Sequence, residues 1–212
     1  MYKLFTLLFF FLPVFLCSTN VYYEISEGDT LIFNNSTILE DNNIIRLYEN
    51  GNRKHYTVFD STLHTIRYEF EDIADNSKIT AEQTEDKIIL SGLLKGKKIY
   101  TEQMNDAVKW SQSITYTLSR FSLSDKEEEV FRIFRPDNFE PVIFKAIKTG
   151  LDTLEINKRK IPVKKISLRP KGIKSVFWKG EYSFRNTDGL FIKYVGKNGG
   201  PGSPETVIIL KE

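Results

Sequence analysis

Ile66-Arg67-Tyr68-Glu69-Phe70 alternates apolar and polar residues one for one. In an extended strand successive side chains point to opposite faces, so Ile66, Tyr68 and Phe70 share one face while Arg67 and Glu69 share the other. A helix would scatter these residues around its axis. The same period of two recurs outward in both directions. Upstream lie Leu31-Ile32-Phe33, Ile44 to Tyr48 and Tyr56 to Phe59, with Asn50-Gly51 as a hairpin turn between the last two. Asn and Gly suit that turn because both tolerate positive φ. Downstream lie Lys87 to Leu90 leading into a turn at Ser91-Gly92, then Ile114, Tyr116 and Leu118 alternating with threonine and serine. Val142 to Ile147, Leu154 to Ile156, Ile161 to Leu168, Glu181 to Arg185, Leu190 to Val195 and Thr206 to Leu210 complete the series. About ten short strands joined by Gly and Asn turns predict a mainly β protein. The expected architecture is a single curved antiparallel sheet or half-open barrel, with at most one or two short helices after an N-terminal signal-peptide helix.

Two places break the pattern. Ser124-Asp125-Lys126-Glu127 fits a capping box, so residues 124–134 read equally as a helix or a strand that Pro136 ends. In the stretch from Ile161, Val163 is followed by the apolar pair Ile166 and Leu168, a slip of one residue that a β-bulge would restore.

The chain has 212 residues, of which 41% are hydrophobic and 27% charged. Its first 17 residues differ from the rest. One cation, Lys3, precedes the apolar run Leu4 to Leu16, and polar Ser18-Thr19-Asn20 follow. A transmembrane helix needs about 20 apolar residues, and this run is shorter and contains Pro13. It reads as a secretory signal peptide. The expected organisation is therefore a leader over 1–17 and one envelope domain over 18–212, exported to a periplasm or held at a bacterial membrane by an anchor. Cys17 leaves two readings open. It is the lipidated first residue of a lipoprotein, followed by a tether, or an incidental residue near an ordinary cleavage site; Leu16 is larger than either processing signal prefers just before the cut.

Without Lys3 the domain carries 29 Lys and Arg against 28 Asp and Glu. Nucleic-acid binding calls for a basic excess that this balance lacks. A single cysteine excludes a disulfide framework and a Cys-rich zinc site. His55 and His64 stand nine residues apart, outside any metal-ligand spacing, and no G-x-S-x-G turn or Cys/His pair offers a nucleophile. Gly92-Leu-Leu-Lys-Gly96-Lys97 is too short for a P-loop and lacks the Ser or Thr that follows its lysine, and the glycines from Gly196 to Gly202 precede a strand where a phosphate loop opens a helix. The reading is non-catalytic, with no cofactor and no metal.

Charge and aromatic placement say more. Ile156 to Gly180 holds nine Lys or Arg and no acid, while Asp125 to Glu140 holds six acids and three bases. The two segments would neutralise each other, or else Lys158, Arg159, Lys160, Lys164, Lys165 and Arg169 would form a basic face toward anionic lipid or an envelope polymer. Phe177, Trp178, Tyr182, Phe184, Phe191 and Tyr194 would form a packed core or line an apolar cavity in the curved sheet.

The C-terminal half carries a resemblance. It runs Phe144-Lys-Ala-Ile-Lys-Thr-Gly150, Leu154-Glu-Ile-Asn157, Ile161-Pro-Val-Lys-Lys-Ile166, Phe177-Trp-Lys-Gly-Glu-Tyr-Ser-Phe184 and Asp188-Gly-Leu-Phe191-Ile-Lys-Tyr194, closing on Gly199-Gly-Pro-Gly202 and Thr206-Val-Ile-Ile-Leu210. This cadence resembles uncharacterised exported bacterial proteins similar to the periplasmic lipoprotein-carrier half-barrel. The resemblance implies a curved antiparallel sheet partly wrapped round a helix, and carriage of lipid. Binding of a hydrophobic or amphiphilic ligand is the leading expectation for function. A structural or protein-interaction role at the envelope is the second, and an unrecognised hydrolase the third.

Overall fold

The computed structural model describes residues 17–25, 30–40, 43–50, 52–172, 178–197 and 204–211, with the backbone alone described before residue 52. The expected leader lies outside the described residues up to residue 16, as does Phe177. The strands are β1 (Cys17–Ile25), β2 (Thr30–Glu40), β3 (Asn43–Asn50), β4 (Arg53–Phe59), β5 (Thr65–Asp72), β6 (Ser77–Gln83), β7 (Lys87–Leu94) and β8 (Lys97–Met104). After helix α1 (Ile114–Leu123) come β9 (Glu128–Phe134), β10 (Pro141–Ile156), β11 (Arg159–Pro170), β12 (Gly180–Arg185), β13 (Phe191–Lys197) and β14 (Glu205–Lys211). All belong to one antiparallel sheet in the order β8-β7-β6-β5-β4-β3-β2-β1-β14-β13-β12-β11-β10-β9. The mainly β class expected from alternation is what the chain adopts. Neighbours in sequence are neighbours in space, apart from β1 beside β14, which joins the two halves.

The sheet curls until its β9 end meets the start of β5, without a strand-to-strand closure. A short seam over residues 109–112 spans the gap. The Thr65 amide donates to the Trp110 carbonyl at 2.8 Å, while the Ser111 amide donates to the Arg132 carbonyl at 2.9 Å. Gln112 extends the ladder with its side chain. Its Nε2 donates to the Phe134 carbonyl at 2.7 Å, and its Oε1 accepts from the Phe134 amide at 2.9 Å and from Trp110 Nε1 at 2.8 Å. Beyond the seam, β5–β7 continue over the outside of β9. Two cores follow, one on each face of β9. Phe131 and Ile133 join Leu118, Phe121 and the inner residues of β10–β14. Phe134, on the other face, joins Trp110, Tyr68, Phe70, Ile79 and Leu90.

Of the two readings left open for residues 124–134 the strand is the one adopted, over Glu128–Phe134, and the helix lies just upstream. Ile114, Tyr116 and Leu118 alternate as in a strand, yet they belong to α1, whose buried residues Thr117, Leu118, Phe121 and Ser122 recur at helical spacing. The intervening polar residues mislead because they find partners inside. The Thr117 hydroxyl donates to the Ser113 carbonyl one turn back at 2.7 Å and shares a 2.6 Å bond with Ser111. Ser124 ends this helix: its Oγ donates to the Phe121 carbonyl at 2.8 Å. Residues 128–134 are strand, paired with β10.

Three smaller expectations shift as well. Gly92 lies within β7, opposite Ile79, and the turn falls at Lys95-Gly96. A side chain at 92 would meet the Lys78 carbonyl oxygen at 2.1 Å, so the glycine answers to close strand approach. The phase slip in β11 is present, with Ile161, Val163, Ile166 and Leu168 all buried. The extra residue sits on the partner strand: the register steps from Lys148 opposite Ile166 to Gly150 opposite Lys165, leaving Thr149 over. Where the lipidated reading of Cys17 has a tether, the chain is strand from Cys17 itself, which pairs with Thr37.

Candidate functional site

The ring cluster comes first because it fixes which side of the sheet remains accessible. β12 and β13 alternate, sending Tyr182, Phe184 and Tyr194 toward α1 and Glu181, Ser183, Lys193 and Val195 to the outer face. The inner rings pack on one another. Tyr182 lies 4.8 Å from Tyr194 and 6.1 Å from Phe191 between centroids, and Phe184 lies 5.7 Å from Phe191. Trp178 meets Phe144 edge-on at 5.6 Å and donates its Nε1 to the Lys197 carbonyl at 2.6 Å. Gly180 and Gly196 stand opposite each other, and a Cβ on either would collide with the tyrosine rings. Two glycines thus leave the floor bare for the rings to lie on. Burial pushes the phenol of Tyr182 well above its ordinary range and that of Tyr194 up to about 12, so both remain neutral.

On the outer face of the same strands a cleft of about 520 Å³ opens beside the bend in β10. Leu151, Leu154 and Val195 supply apolar wall, and Lys165, Lys179 and Lys193 supply charge. The cross-strand register explains the grouping: Lys165, Ser183 and Lys193 lie directly opposite one another on β11, β12 and β13. Lys165 pairs with Asp152 at 3.4 Å and Lys179 pairs with Glu181, so two carboxylates offset part of the charge. The Thr153 amide, and then Lys165, hold the Asp152 carboxyl below its usual range. Leu151 is 72% exposed, which is unusual for a leucine on a strand. The Gly150 backbone, at φ 136°, and the unpaired Thr149 turn this arm of β10 outward.

The six basic residues singled out in the sequence do not share one face. Lys165 lines the outer cleft. Lys164 donates to the Ser122 carbonyl at 2.9 Å, at the C-terminal end of α1, where Lys148 likewise donates to the Ser124 carbonyl at 2.5 Å. Cations there suit the negative end of the helix dipole. Lys158 forms the β10–β11 turn with Asn157, both at positive φ, and Arg159 and Lys160 follow it. Arg169 is exposed opposite Lys145. The acidic stretch meets this set at a cleft of about 320 Å³ bounded by Asp125, Glu127, Lys148 and Lys164. Elsewhere Glu128 pairs with Lys145 at 2.8 Å and Glu129 with Lys126 at 2.9 Å. Lys179 and Lys193 complete the outer cleft; Lys179 closes the basic stretch from Ile156 to Gly180 but is not among the six singled out, and Lys193 lies beyond that stretch. Only strand register brings them to Lys165.

The histidines are far apart in role. His55 shares a 2.8 Å hydrogen bond through Nδ1 with the buried Tyr68 hydroxyl and packs 5.0 Å from Phe70. Burial, helped by the Arg53 charge, pushes its pKa down to about 4, so it is neutral at physiological pH. His64 belongs to the β4–β5 turn, where its amide donates to Asp60 at 2.9 Å. A third cleft of about 410 Å³ lies over β4–β6, lined by Lys54, Tyr56, Glu69, Glu71 and Lys78 among others. Among the described residues no group of His, Cys, Asp and Glu is placed to hold a metal ion, and no helix is long and apolar enough to cross a membrane.

Comparison with known proteins bears on the fold alone. The chain is similar to a solved beta-barrel-like protein of the domain of unknown function DUF1849 from Brucella abortus. The match has a TM-score of 0.56 at 7% identity and covers 91% of this chain and 94% of that one. It is also aligned with the hypothetical lipoprotein YmcC from Escherichia coli at a TM-score of 0.38 and 12% identity, over 93% of this chain and 85% of that one. The first match places the curled sheet among bacterial beta-barrel-like folds rather than specifically with the lipoprotein-carrier half-barrel. No protein-family model and no curated protein matches the sequence.

Proposed function

We propose that this chain is an exported envelope protein that binds an amphiphilic ligand with an anionic head, without chemical turnover, in the outer cleft of β10–β13. The observation that carries the reading is the pairing of an exposed apolar arm, Leu151 and Leu154, with Lys165, Lys179 and Lys193 in one cleft of about 520 Å³. That volume falls within the range of small-molecule sites, about 300–1,000 Å³. The apolar wall accepts an acyl or prenyl portion and the lysines accept the head. The reading takes further support from the leader-like N-terminus, which would bring the domain to a compartment rich in such amphiphiles. Lipid carriage in a cavity lined by the inner rings has less support. Those rings are engaged with one another, whereas the outer cleft is accessible.

Native mass spectrometry of the full chain, expressed with its own leader in a bacterial host, tests this. A bound species of lipid mass that is released on denaturation is the expected result, and Leu151→Asp combined with Lys193→Glu should lower its occupancy about tenfold or more. A protein that stays empty after incubation with envelope lipid extract overturns the proposal.

A further inference from the structure

β8 ends the sheet. Among the described residues its one strand neighbour is β7, and its other edge offers a row of backbone donors and acceptors. The opposite end of the sheet is finished differently, since residues 109–111 take up the free side of β9. β8 is also where apolar exposure concentrates. Tyr100 is 66% exposed and Met104 63%, on the same face as Lys98 and Glu102. Lysine is the usual guard against edge-to-edge pairing, but here an acid stands four residues from Lys98 on the same face.

We propose that β8 pairs antiparallel with β8 of a second copy of this chain, with Tyr100 opposite Tyr100. A two-fold axis perpendicular to the sheet keeps outer face with outer face, and it therefore passes through a residue rather than between two. With the axis at Tyr100, Lys98 faces Glu102 of the partner subunit twice. Lys97 then faces Gln103 of the partner subunit, and Ile99 faces Thr101 of the partner subunit. No like charges oppose. Moving the axis to Ile99 leaves Glu102 beyond the pairing, and moving it to Thr101 sets Tyr100 against Glu102. Only the Tyr100 register matches charge on both sides. Glu102 is fixed on this face, where Lys87 of β7 donates to one of its oxygens at 3.0 Å and the Tyr100 hydroxyl to the other at 2.5 Å, and each oxygen has a further lone pair to accept with. Directly opposed residues have Cβ atoms about 4.5–5.5 Å apart, so Lys98 of one copy is within reach of the Glu102 carboxylate of the other. The two tyrosines cover each other, and the result is one continuous sheet across two molecules.

Sedimentation equilibrium of the full chain over a range of concentrations reads the association directly. A monomer–dimer equilibrium is expected. Lys98→Glu should weaken it about tenfold or more, since two attractive pairs become repulsive. Glu102→Lys should do the same, and the double swap should restore it. Lys98→Glu is the decisive variant, because Glu102 has partners within its own subunit and its replacement bears on folding too; circular dichroism checks both. Hydrogen exchange adds a second reading, with amides of residues 98–102 gaining protection as concentration rises. A monomer at every concentration overturns the inference. So does a dimer indifferent to Lys98→Glu. The inference is independent of ligand binding, which mass spectrometry reads on either form.

Discussion

At the residue scale, the side chain of Gln112 does the work of a strand. It gives Phe134 both an acceptor and a donor and satisfies the indole N–H of Trp110, which is 1% exposed. Leaving a buried polar group unpaired costs about 1–3 kcal/mol. Gln112→Leu should therefore destabilise the protein by about 2–4 kcal/mol in urea denaturation, with a change in tryptophan fluorescence as Trp110 loses its partner. A loss under about 0.5 kcal/mol would show that the seam does not depend on this side chain. His55 makes a pH prediction with a definite sign. Its folded pKa, about 4, lies below the 6.5 of the exposed ring, so the unfolded chain binds the extra proton first as pH falls. The stability contributed by the neutral ring is complete above pH 6.5 and is lost between 6.5 and 4. His55→Phe should flatten the stability profile in that window, which thermal melts across pH will read. An unchanged slope in the variant would assign the acid sensitivity to other groups.

Elements are held by what lies opposite them. α1 docks through Leu118, fully buried, and through the Ser119 hydroxyl, which donates to the Gly189 carbonyl at 2.7 Å in the turn after β12. Leu118→Ala should cost about 2–5 kcal/mol, the usual range for a buried leucine. Ser119→Ala should cost about 1 kcal/mol. Gly92→Ala asks more of the backbone. Its φ of 140° and the Lys78 carbonyl 2.1 Å from the new Cβ force β6 and β7 apart, so the variant should unfold at markedly lower urea than wild type. A wild-type midpoint would mean that the strands move apart at little cost. Residues 124–134 stayed open between helix and strand on this scale because Ser124-Asp125-Lys126-Glu127 suits a helix start, while the local signal says nothing of a helix ending there. Ile114 to Leu118 fits both periods over five residues. The choice fell to Leu118 and Phe121 together, which only the surrounding sheet rewards.

The whole molecule depends on β14. It is the bridge between β13 and β1, and through them between the C-terminal and N-terminal halves of the sheet. Deleting residues 205–212 should therefore abolish the single cooperative transition expected of a domain whose two cores share β9, giving a broad or two-step melt in calorimetry. Retention of one sharp transition would show that the seam at residues 109–112 holds the halves by itself. Alternation of Ile66, Tyr68 and Phe70 with Arg67 and Glu69, repeated along the chain, determined the β class, because period two is a property of each strand alone. Spacing of the Gly and Asn turns likewise suggested an antiparallel meander, and the β11 slip marked the bend beside the cleft. Tertiary structure decided the rest. Register set Lys193 and Ser183 beside Lys165, the curl of the sheet brought Tyr68 and Ile79 against Phe134, and Gln112 became a seam only when Phe134 arrived opposite it. Each of these joins residues far apart in sequence, and their placement follows from sheet twist and packing, which no single stretch of chain encodes.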